Sequence, residues 1–383
     1  MSDDSNRQLL EEIRNASDIV DIVSLAVPHL RQVGGTFKAL CPFHKEKTPS
    51  FTVNRQRQVF HCFGCGAGGD VFKFVMLHDK LDFVSAMRKL AERAGIACKL
   101  DRDGGKGRGE RAILYDINEK AARLFQDILN RDPCAKPARD YIAHRQIPAE
   151  ALKDFAIGYA PDRWDTVRTW AADKYTPEQL VAAGLLVRKD DAPDKLYDRF
   201  RGRLMFAIHD EQGRVVGFSG RVLGADSEGA KYVNSPETAI FKKSRILYAL
   251  NRARTAMVEA REALVCEGQI DVIRCHLNGF ANAVASQGTA FTADHARMLR
   301  RYADSVVLVF DADSAGRKAA LRTAGIFLQA ELAVRVAVMP AGEDPDSLLL
   351  SQGRDAFAKI LEQAQSVIEF QAGLLRERED FKD

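Results

Sequence analysis

Four side chains that commonly bind zinc occur as two closely spaced pairs near the amino terminus. Cys41 and His44 enclose Pro-Phe in CPFH, and Cys62 and Cys65 enclose Phe-Gly in CFGC. A gap of two residues lets both side chains of a tight turn reach one ion, and four such ligands complete a tetrahedral zinc site. Because no coordination position is left open, the predicted zinc is structural. His61 is an alternative ligand, but it would break the regular spacing.

Six acidic residues form three pairs, each of which follows a predicted apolar strand (263–266, 305–310 and 333–339). The six are Glu267, Asp271, Asp311, Asp313, Asp344 and Asp346. Parallel strands in an open sheet place their carboxyl ends at one edge, where ligands bind. Converging carboxylates repel each other unless a cation such as magnesium neutralises them, and two such ions can activate a hydroxyl and stabilise a leaving pyrophosphate. The alternative is that these acids cap helices and solvate loops.

Residues 195–254 are strongly basic. They contain twelve Lys or Arg and six Asp or Glu, which leaves a net charge of −3 on the rest of the chain. Arg199, Arg201 and Arg203 alternate, so they would share one face of an extended segment. Next to metal-binding carboxylates, such a patch is suited to a polyphosphate or a nucleic-acid backbone. The alternative is a solvated charged face.

Aromatic and basic residues also alternate around the zinc ligands. Phe43, Phe51, Phe60 and Phe63 lie among lysines and arginines. Such phenylalanines could stack on exposed nucleic-acid bases, or they could form the core of a small zinc ribbon. The sequence leaves both interpretations open.

The elements that position the zinc ligands are a helical segment over 7–30, a hairpin of 51–53 with 59–61, and helices after Asp70 and near 82–94. Asp70 is the predicted N-cap of the first of these last two helices. Gly64 is expected to adopt the positive φ that a tight turn often needs. This layout is typical of a zinc ribbon.

The rest of the chain changes character after residue 100. Residues 101–111 combine glycine and charge without a hydrophobic anchor, which predicts a flexible tether. Helices are predicted over 112–130 and 137–156, and a β-hairpin over 204–208 and 214–218. From residue 255, strands alternate with helices, as in a parallel α/β sheet, and a helical tail follows from 347.

Composition narrows the class of protein. The chain has 383 residues, 46% of them hydrophobic, and seven cysteines, an odd number that does not suggest a disulfide framework. The amino terminus MSDDSNRQ lacks the apolar core of a signal peptide, and no apolar run reaches the ~20 residues of a membrane span. We therefore expect a cytoplasmic protein without a membrane partner.

In its motifs and their order, the chain resembles the bacterial replicative DNA primases of the DnaG type. The resemblance rests on CPFHKEKTPSF, HCFGCGAGGD, DRFRGRLMF, KYVNSPETAIF, CEGQIDVI, FDADSAGRKAA and GEDPDSLL. It implies a multidomain α+β and α/β fold with an amino-terminal zinc ribbon, a basic α+β subdomain, a Toprim parallel sheet and a short helical carboxyl terminus. The expected boundaries are 1–100 (zinc-binding), 101–111 (linker), 112–258 (basic subdomain), 259–345 (Toprim) and 346–383 (incomplete helical bundle).

The resemblance also implies roles for individual residues. It assigns binding of the structural zinc to Cys41, His44, Cys62 and Cys65. It assigns binding of magnesium or manganese to Glu267, Asp271, Asp311, Asp313, Asp344 and Asp346, with Glu267, Asp311 and Asp313 as catalytic residues. Glu267 is the candidate for deprotonating the attacking 3′-hydroxyl. Nucleotide and template contacts fall to Arg145, Arg201, Arg221, Lys231, Asn234 and Lys243.

The implied activity is synthesis of short RNA primers from ribonucleoside triphosphates on single-stranded DNA, by two-metal-ion nucleotidyl transfer. Two departures from the family stand out. Gln269 replaces a residue that is more often aromatic, and the chain ends at Asp383. The family's helicase-binding domain is therefore expected to be absent, and recruitment by the replicative helicase to be weak.

Two other function classes remain open from the sequence. A zinc-plus-Toprim adaptor would hold DNA without making bonds, but such adaptors are shorter, have cysteine-only zinc sites and lack the basic region. A Toprim topoisomerase or nuclease would cut DNA, but topoisomerases need a tyrosine nucleophile in a large separate domain. A fused helicase is excluded because no GxxxxGK[ST] phosphate loop occurs.

Overall fold

The computed structural model describes residues 3–81, 83–96, 106–189, 192–223, 230–288 and 290–376. They divide into two compact units, Met1–Arg108 and Gly109–Asp383. No helix within the described ranges is long and apolar enough to cross a membrane.

Within its described residues, the first unit contains a five-stranded antiparallel sheet and four helices. The helices are α1 (Asp3–Asn15), α2 (Ile19–Ala26), α3 (Val71–His78) and α4 (Phe83–Arg93), and the strands are β1 (Arg31–Val33), β2 (Thr36–Ala39), β3 (Phe51–Asn54), β4 (Val59–Cys62) and β5 (Gly68–Gly69). The strands follow one another in sequence order across the sheet. The predicted hairpin between the two ligand pairs is thereby confirmed as β3 and β4.

Side-chain caps fix where the helices of this unit begin. The carboxylate of Asp70 accepts a hydrogen bond from the backbone N–H of Lys73 at 3.1 Å, which confirms Asp70 as the N-cap of α3. The helical segment predicted over 7–30 is two helices. Asp18 caps the second of them by accepting from the backbone of Val20 at 2.9 Å, so the chain restarts there instead of continuing one helix.

The first part of the second unit is a mixed α+β region. Its helices are α5 (Lys106–Arg131), α6 (Lys136–His144), α7 (Ala149–Asp154), α8 (Thr166–Ala171) and α9 (Pro177–Ala182), and its strands are β6 (Ile157–Ala160), β7 (Leu186–Lys189), β8 (Ala192–Asp198), β9 (Arg203–His209), β10 (Val215–Val222) and β11 (Tyr232–Asn234). One sheet has the order β11-β10-β9-β6, and β7 pairs with β8. The predicted hairpin around residues 210–213 is confirmed as β9 and β10.

Two predictions in this region need correction. Residues 101–105 of the predicted linker lie outside the described residues, whereas 106–111 form the start of α5. Charged residues such as Lys106 and Arg111 are good helix formers, so the helix extends beyond its apolar face. The helix predicted over 137–156 is two helices, because Pro148 lacks an N–H and precedes a new first turn.

The remainder of the chain forms an α/β sheet. Its strands are β12 (Glu262–Cys266), β13 (Ala283–Ala285), β14 (Ser305–Phe310), β15 (Ala333–Val338) and β16 (Gln365–Ser366), and its helices are α10 (Leu250–Ala260), α11 (Gln269–Leu277), α12 (Ala293–Arg300), α13 (Ser314–Gln329), α14 (Pro345–Ser351), α15 (Gly353–Glu362) and α16 (Val367–Arg376). The order is β13-β12-β14-β15-β16. The first four strands are parallel, as predicted, and β16 adds an antiparallel edge within the tail predicted as helical.

Burial on both faces of this sheet defines its centre. Along β14, Val307 and Val309 pack into one apolar cluster, whereas Val306 and Leu308 pack into another on the opposite face. All four side chains are fully buried. A continuous apolar strand therefore lies in the middle of the sheet, and the acidic residues that follow it emerge at the centre of the carboxyl edge.

Candidate functional site

The four predicted zinc ligands converge at the ends of β2 and β4. Their ligand atoms all lie within 4.8 Å of one another, and the sulfurs of Cys41 and Cys65 are 3.8 Å apart. A tetrahedral zinc with bonds of about 2.3 Å places two sulfurs about 3.8 Å apart, so the geometry fits one zinc ion. His61 is not part of this group.

The surroundings of the thiols differ. Burial alone would raise the pKa of Cys62, but hydrogen bonds from Ser50 and from the backbone of Cys65 and Gly64 lower it to about 6. The metal-binding thiolate of Cys62 therefore predominates at neutral pH. Burial raises the pKa of Cys41 to about 12, so metal binding must displace a proton there.

Glu46 supports this centre and was not singled out from the sequence. One carboxylate oxygen accepts from the backbone N–H of Cys41 at 2.7 Å, and the other lies 3.2 Å from Nε2 of His44. A carboxylate behind a ligating histidine fixes the orientation of its ring. Its position two residues after His44, in CPFHKEK, was the available signal.

Gly64 is required for a different reason than predicted. It does not have a positive φ, whereas Gly66 does. A Cβ at Gly64 would lie 2.7 Å from Nε2 of His44 and 2.8 Å from Oγ of Ser50. Glycine is therefore needed for close approach of the turn to the ligands.

The structure sorts the phenylalanines of the zinc unit into two groups. Phe43, Phe51 and Phe60 pack with Phe74 in one cluster, with centroid distances of 5.5 to 6.2 Å. Phe63 is 76% exposed and contacts the His61 ring at 4.7 Å. Only Phe63 of the four predicted candidates is free of the core and able to stack on a base.

Five of the six acidic residues lie at the carboxyl edge of the parallel sheet. Glu267 follows β12, Asp311 follows β14, and Asp271 lies in the first turn of α11. Asp313 and Asp344 are the N-caps of α13 and α14, and each accepts a backbone hydrogen bond at 2.7 Å. The capping role that the sequence left open is therefore real for two of them, and it is compatible with proximity to the others.

The pKa values show that these carboxyls act on one another. Burial raises the pKa of Asp271 to about 8, helped by the charges of Asp344, Asp311 and Asp346. Partial desolvation, and then Asp311 and Asp313, raise the pKa of Glu267. Carboxyls with such pKa values need a neutralising cation to ionise together, which is the electrostatic signature of a cation site.

Two glycines let the chain pack closely around the acids. The N–H of Gly268 donates to Asp271 at 3.1 Å, and the N–H of Asp311 donates to Glu267 at 3.0 Å. A Cβ at Gly316 would lie 2.9 Å from Oε1 of Glu267. Among the described residues, the zinc ligands are the one group whose ligand atoms all lie within 4.8 Å, so the carboxylates are spread more widely. Magnesium sites that leave coordination positions for water and phosphate have carboxylates spaced widely in this way.

Asp346, which the resemblance also assigns to magnesium, differs from the other five acids in its contacts. It is 1% exposed, and both of its oxygens are occupied by arginines. Nε of Arg274 donates to Oδ1 at 2.7 Å, and Nη1 of Arg145 donates to Oδ2. Two guanidinium groups therefore already balance the charge of this carboxylate.

The predicted basic contacts occupy several places in the second unit. Burial and the charges of Asp344 and Asp313 raise the pKa of Asp311, and Lys231 is near enough to oppose part of this rise. Arg221 lies over the rings of Tyr141 and Tyr232 at 4.9 and 5.7 Å. Nδ2 of Asn234 donates to the backbone oxygen of Gln287 at 3.2 Å, which ties β11 to the loop after β13.

Lys243 and Arg145 have structural contacts of their own. Lys243 begins a short 3₁₀ turn, and its backbone N–H donates to Glu237 at 2.9 Å. Arg145 is the C-cap of α6 and pairs with Asp346. The structure therefore does not gather all six predicted contact residues into one cluster.

Arg201 lies over two aromatic rings that line an exposed cleft. Its guanidinium lies 3.9 Å from the ring centroid of Trp164 and 5.2 Å from that of Tyr197. Trp164 is 62% exposed and lines a cleft of about 920 Å³ that also contains Arg168 and Lys195. An exposed tryptophan among cations is a stacking platform for single-stranded nucleic acid. Trp164 was not predicted as a site residue, although it is one of only two tryptophans in the sequence.

Three family models match consecutive parts of the chain. They are the CHC2 zinc finger over residues 5–106, the amino-terminal domain of the DNA primase catalytic core over 124–254, and a Toprim-like domain over 264–349. Together they cover the zinc ligands and the acidic residues at the edge of the parallel sheet.

Curated relatives are DNA primases. The chain is 42% identical over 373 residues to the Pseudomonas aeruginosa DNA primase, and 40% identical over 378 residues to that of Clostridium acetobutylicum. These alignments cover 95% and 98% of this chain, but 56% and 62% of the relatives. The chain thus spans less than two thirds of the length of these relatives.

Solved structures agree in fold. The Aquifex aeolicus primase, described as its zinc-binding and RNA polymerase domains, is 30% identical with a TM-score of 0.63, over 97% of this chain and 89% of that one. A DnaG primase catalytic domain bound to single-stranded DNA is 41% identical with a TM-score of 0.63, over 70% and 84%. Shared sequence, shared fold and the three matching domain models together establish that this chain belongs to the bacterial DnaG-type DNA primase family.

Proposed function

We propose that this chain is a DNA-directed RNA polymerase that makes short RNA primers on single-stranded DNA from ribonucleoside triphosphates. The observation that carries the proposal is the group of five mutually interacting carboxyls at the sheet edge, with Lys231 beside Asp311. Relatives named DNA primase, and a related catalytic domain bound to single-stranded DNA, support it. A cytoplasmic location goes with this function.

The carboxyl edge would hold magnesium or manganese through Glu267, Asp271, Asp311, Asp313 and Asp344. Bound there, the ions supply activation of the attacking 3′-hydroxyl and stabilisation of the leaving pyrophosphate. Glu267 has a raised pKa, and a carboxylate of that kind is suited to accept the hydroxyl proton. Its hydrogen bond from Asp311 N–H fixes the orientation of the carboxylate.

The basic residues of the second unit would bind the phosphates and the template. Lys231 and Arg221 are suited to phosphate oxygens, because they lie near Asp311 and Tyr232, next to the acidic edge. Arg201 and Trp164 offer a cation and an exposed ring to the template strand. We assign Asn234 and Lys243 to the same surface as positioning residues.

The zinc of the first unit is proposed to be structural, and that unit is proposed to engage the template. Its four ligands leave no open position for catalysis. The expected organisation remains a zinc-binding domain over 1–100, a basic subdomain over 112–258 and a Toprim subdomain over 259–345.

Primer synthesis on a single-stranded oligonucleotide tests this function directly. Labelled ribonucleotides and manganese should yield short products, and Asp311→Asn or Asp313→Asn should reduce the rate at least about 100-fold, because metal-bound charge stabilises the transition state by several kcal/mol. Asp304→Asn is the matched control, since Asp304 precedes β14 at the opposite edge and pairs with Arg261.

Three results would contradict the proposal. Products that survive both substitutions would remove these acids from the reaction. Single-strand binding without incorporation under any metal would favour the adaptor, and cleavage of supercoiled plasmid would favour strand cutting.

A further inference from the structure

Three residues from distant parts of the second unit form a closed cycle of hydrogen bonds around the buried carboxylate of Asp346. Arg274 donates through Nε to Asp346 and through Nη2 to the backbone oxygen of Arg145, and Arg145 donates through Nη1 to the other oxygen of Asp346. Arg145 is the C-cap of α6, Arg274 lies within α11, and Asp346 lies in the first turn of α14. The cycle therefore joins the basic region to the Toprim sheet.

Exposure differs around the cycle. The side chain of Asp346 is 1% exposed and that of Arg274 is 7% exposed, whereas that of Arg145 is 26% exposed. A buried guanidinium with two acceptors is held in one geometry, because its planar fork fixes the direction of each hydrogen bond. Arg145 therefore has the most exposed side chain of the three.

The net charge of the cycle indicates what Arg145 can bind. Two arginines share one carboxylate, so the cycle keeps a net positive charge next to the acidic edge. Burial lowers the pKa of Arg145, but Tyr141, Asp346 and Asp344 raise it above its usual value, which places Arg145 near the carboxyls. A cation in that position is suited to bind a phosphate that enters the site.

We propose that Arg274 is a positioning residue that holds Arg145 in place to bind a nucleotide phosphate, with Asp346 as the anion that joins the two. This inference rests on the proposed function and deepens it. Arg274 fixes the backbone carbonyl of Arg145, and Asp346 fixes its guanidinium. Asp346 thereby contributes to phosphate binding without contacting a metal ion.

Kinetics of first phosphodiester bond formation with Arg274→Met tests the proposal. The Michaelis constant for ribonucleoside triphosphate should rise about 5- to 10-fold, the value of one ordinary hydrogen bond, while kcat changes less than about 3-fold. A general structural role would lower kcat and the melting temperature and leave the Michaelis constant unchanged, which would overturn the proposal. Arg335→Met is the matched control, because it removes an arginine–carboxylate pair, with Glu262, from the opposite edge of the sheet.

A double-mutant cycle shows whether Arg274 acts through Arg145. In an Arg145→Met background, Arg274→Met should change the Michaelis constant less than about 2-fold, because the residue that it positions is gone. An equal effect in both backgrounds would refute the proposal. Arg274→Lys keeps the charge but loses the fork, so a Michaelis constant within about 2-fold of the unmodified protein would also refute it.

Asp346→Asn tests whether Asp346 acts through the arginine cycle or as a metal ligand, and it does so without deleting the side chain. The Michaelis constant for nucleotide should rise as in Arg274→Met, and the manganese concentration for half-maximal rate should stay unchanged. A higher manganese requirement would make Asp346 a metal ligand and overturn the assignment.

Binding of inorganic tripolyphosphate to the full chain, measured by calorimetry, needs no turnover. The affinity should fall about 5- to 10-fold in Arg274→Met and stay unchanged in Arg335→Met. If the unmodified protein makes no primers, the proposed function fails, but this measurement still decides the role of Arg274. Unchanged tripolyphosphate affinity in Arg274→Met refutes the role.

Discussion

Metal binding at the acidic edge should release a proton, and Asp271 is the residue that provides it. Burial and three neighbouring carboxylates raise its pKa to about 8, while the N–H of Gly268 partly opposes this shift. With that pKa, only about one protein molecule in ten carries ionised Asp271 at pH 7 without metal. A divalent ion needs the ionised form, so it must displace this proton.

The size of the effect follows from the same pKa. Binding of manganese at pH 7 should release about 0.9 proton from Asp271, and affinity should increase about tenfold between pH 7 and pH 9, equal to about 1.4 kcal/mol. Without metal, the stability of the fold changes with pH in the opposite direction to metal affinity, because it falls as pH rises. The folded pKa lies above the unfolded value of 3.8, so the contribution of Asp271 to stability is present below that pH and is lost as pH rises through about 8.

Calorimetric titration of the zinc-loaded protein with manganese, in buffers of different ionisation enthalpy, measures the released protons. Asp271→Asn is the control, because it keeps the shape of the side chain and has no proton to release. Release below about 0.2 proton at pH 7, together with affinity that does not change between pH 6.5 and 8.5, would refute the reasoning.

Three further predictions concern the zinc unit and the acidic edge. Cys62→Ser should unfold the zinc unit, because zinc binding of about 10–16 kcal/mol is coupled to folding. Circular dichroism should detect this unfolding, and it should show no change in the control variant His61→Ser. Phe63→Ala should weaken binding of a single-stranded oligonucleotide by about 1–3 kcal/mol in fluorescence anisotropy without changing stability, whereas Phe51→Ala should cost about 3–5 kcal/mol of stability in denaturant unfolding. Gly316→Ala should abolish primer synthesis with the zinc unit still folded, because its Cβ would lie 2.9 Å from a carboxylate oxygen at the acidic edge.

Much of the fold followed from short-range patterns. The spacing of Cys62 and Cys65 belongs to one turn, and Asp70 caps a helix within its own first turn. Alternating strands and helices predicted the parallel sheet, and the apolar run of β14 predicted its central strand. Each of these depends on residues close together in the chain, so the sequence contains them directly.

Other features could not be predicted in this way. One helix was predicted over 137–156, but the chain forms two, with Pro148 at the N-cap of the second. Phe51 and Phe63 have the same side chain and similar neighbours, but only packing shows that one is buried and the other 76% exposed. Local pattern does not distinguish the two because burial depends on which distant elements cover a residue.

The difference between what the sequence determined and what the tertiary structure decided is greatest at the acidic edge. From the sequence alone, the strand-end positions of Glu267 and Asp311 determined that carboxylates would meet there, because parallel strands align their carboxyl ends. Only the tertiary structure decided that Asp346 pairs with arginines 72 and 201 positions away in sequence. Sequence spacing sets which groups a strand delivers to an edge, whereas the packing of separate helices sets which charge each group meets.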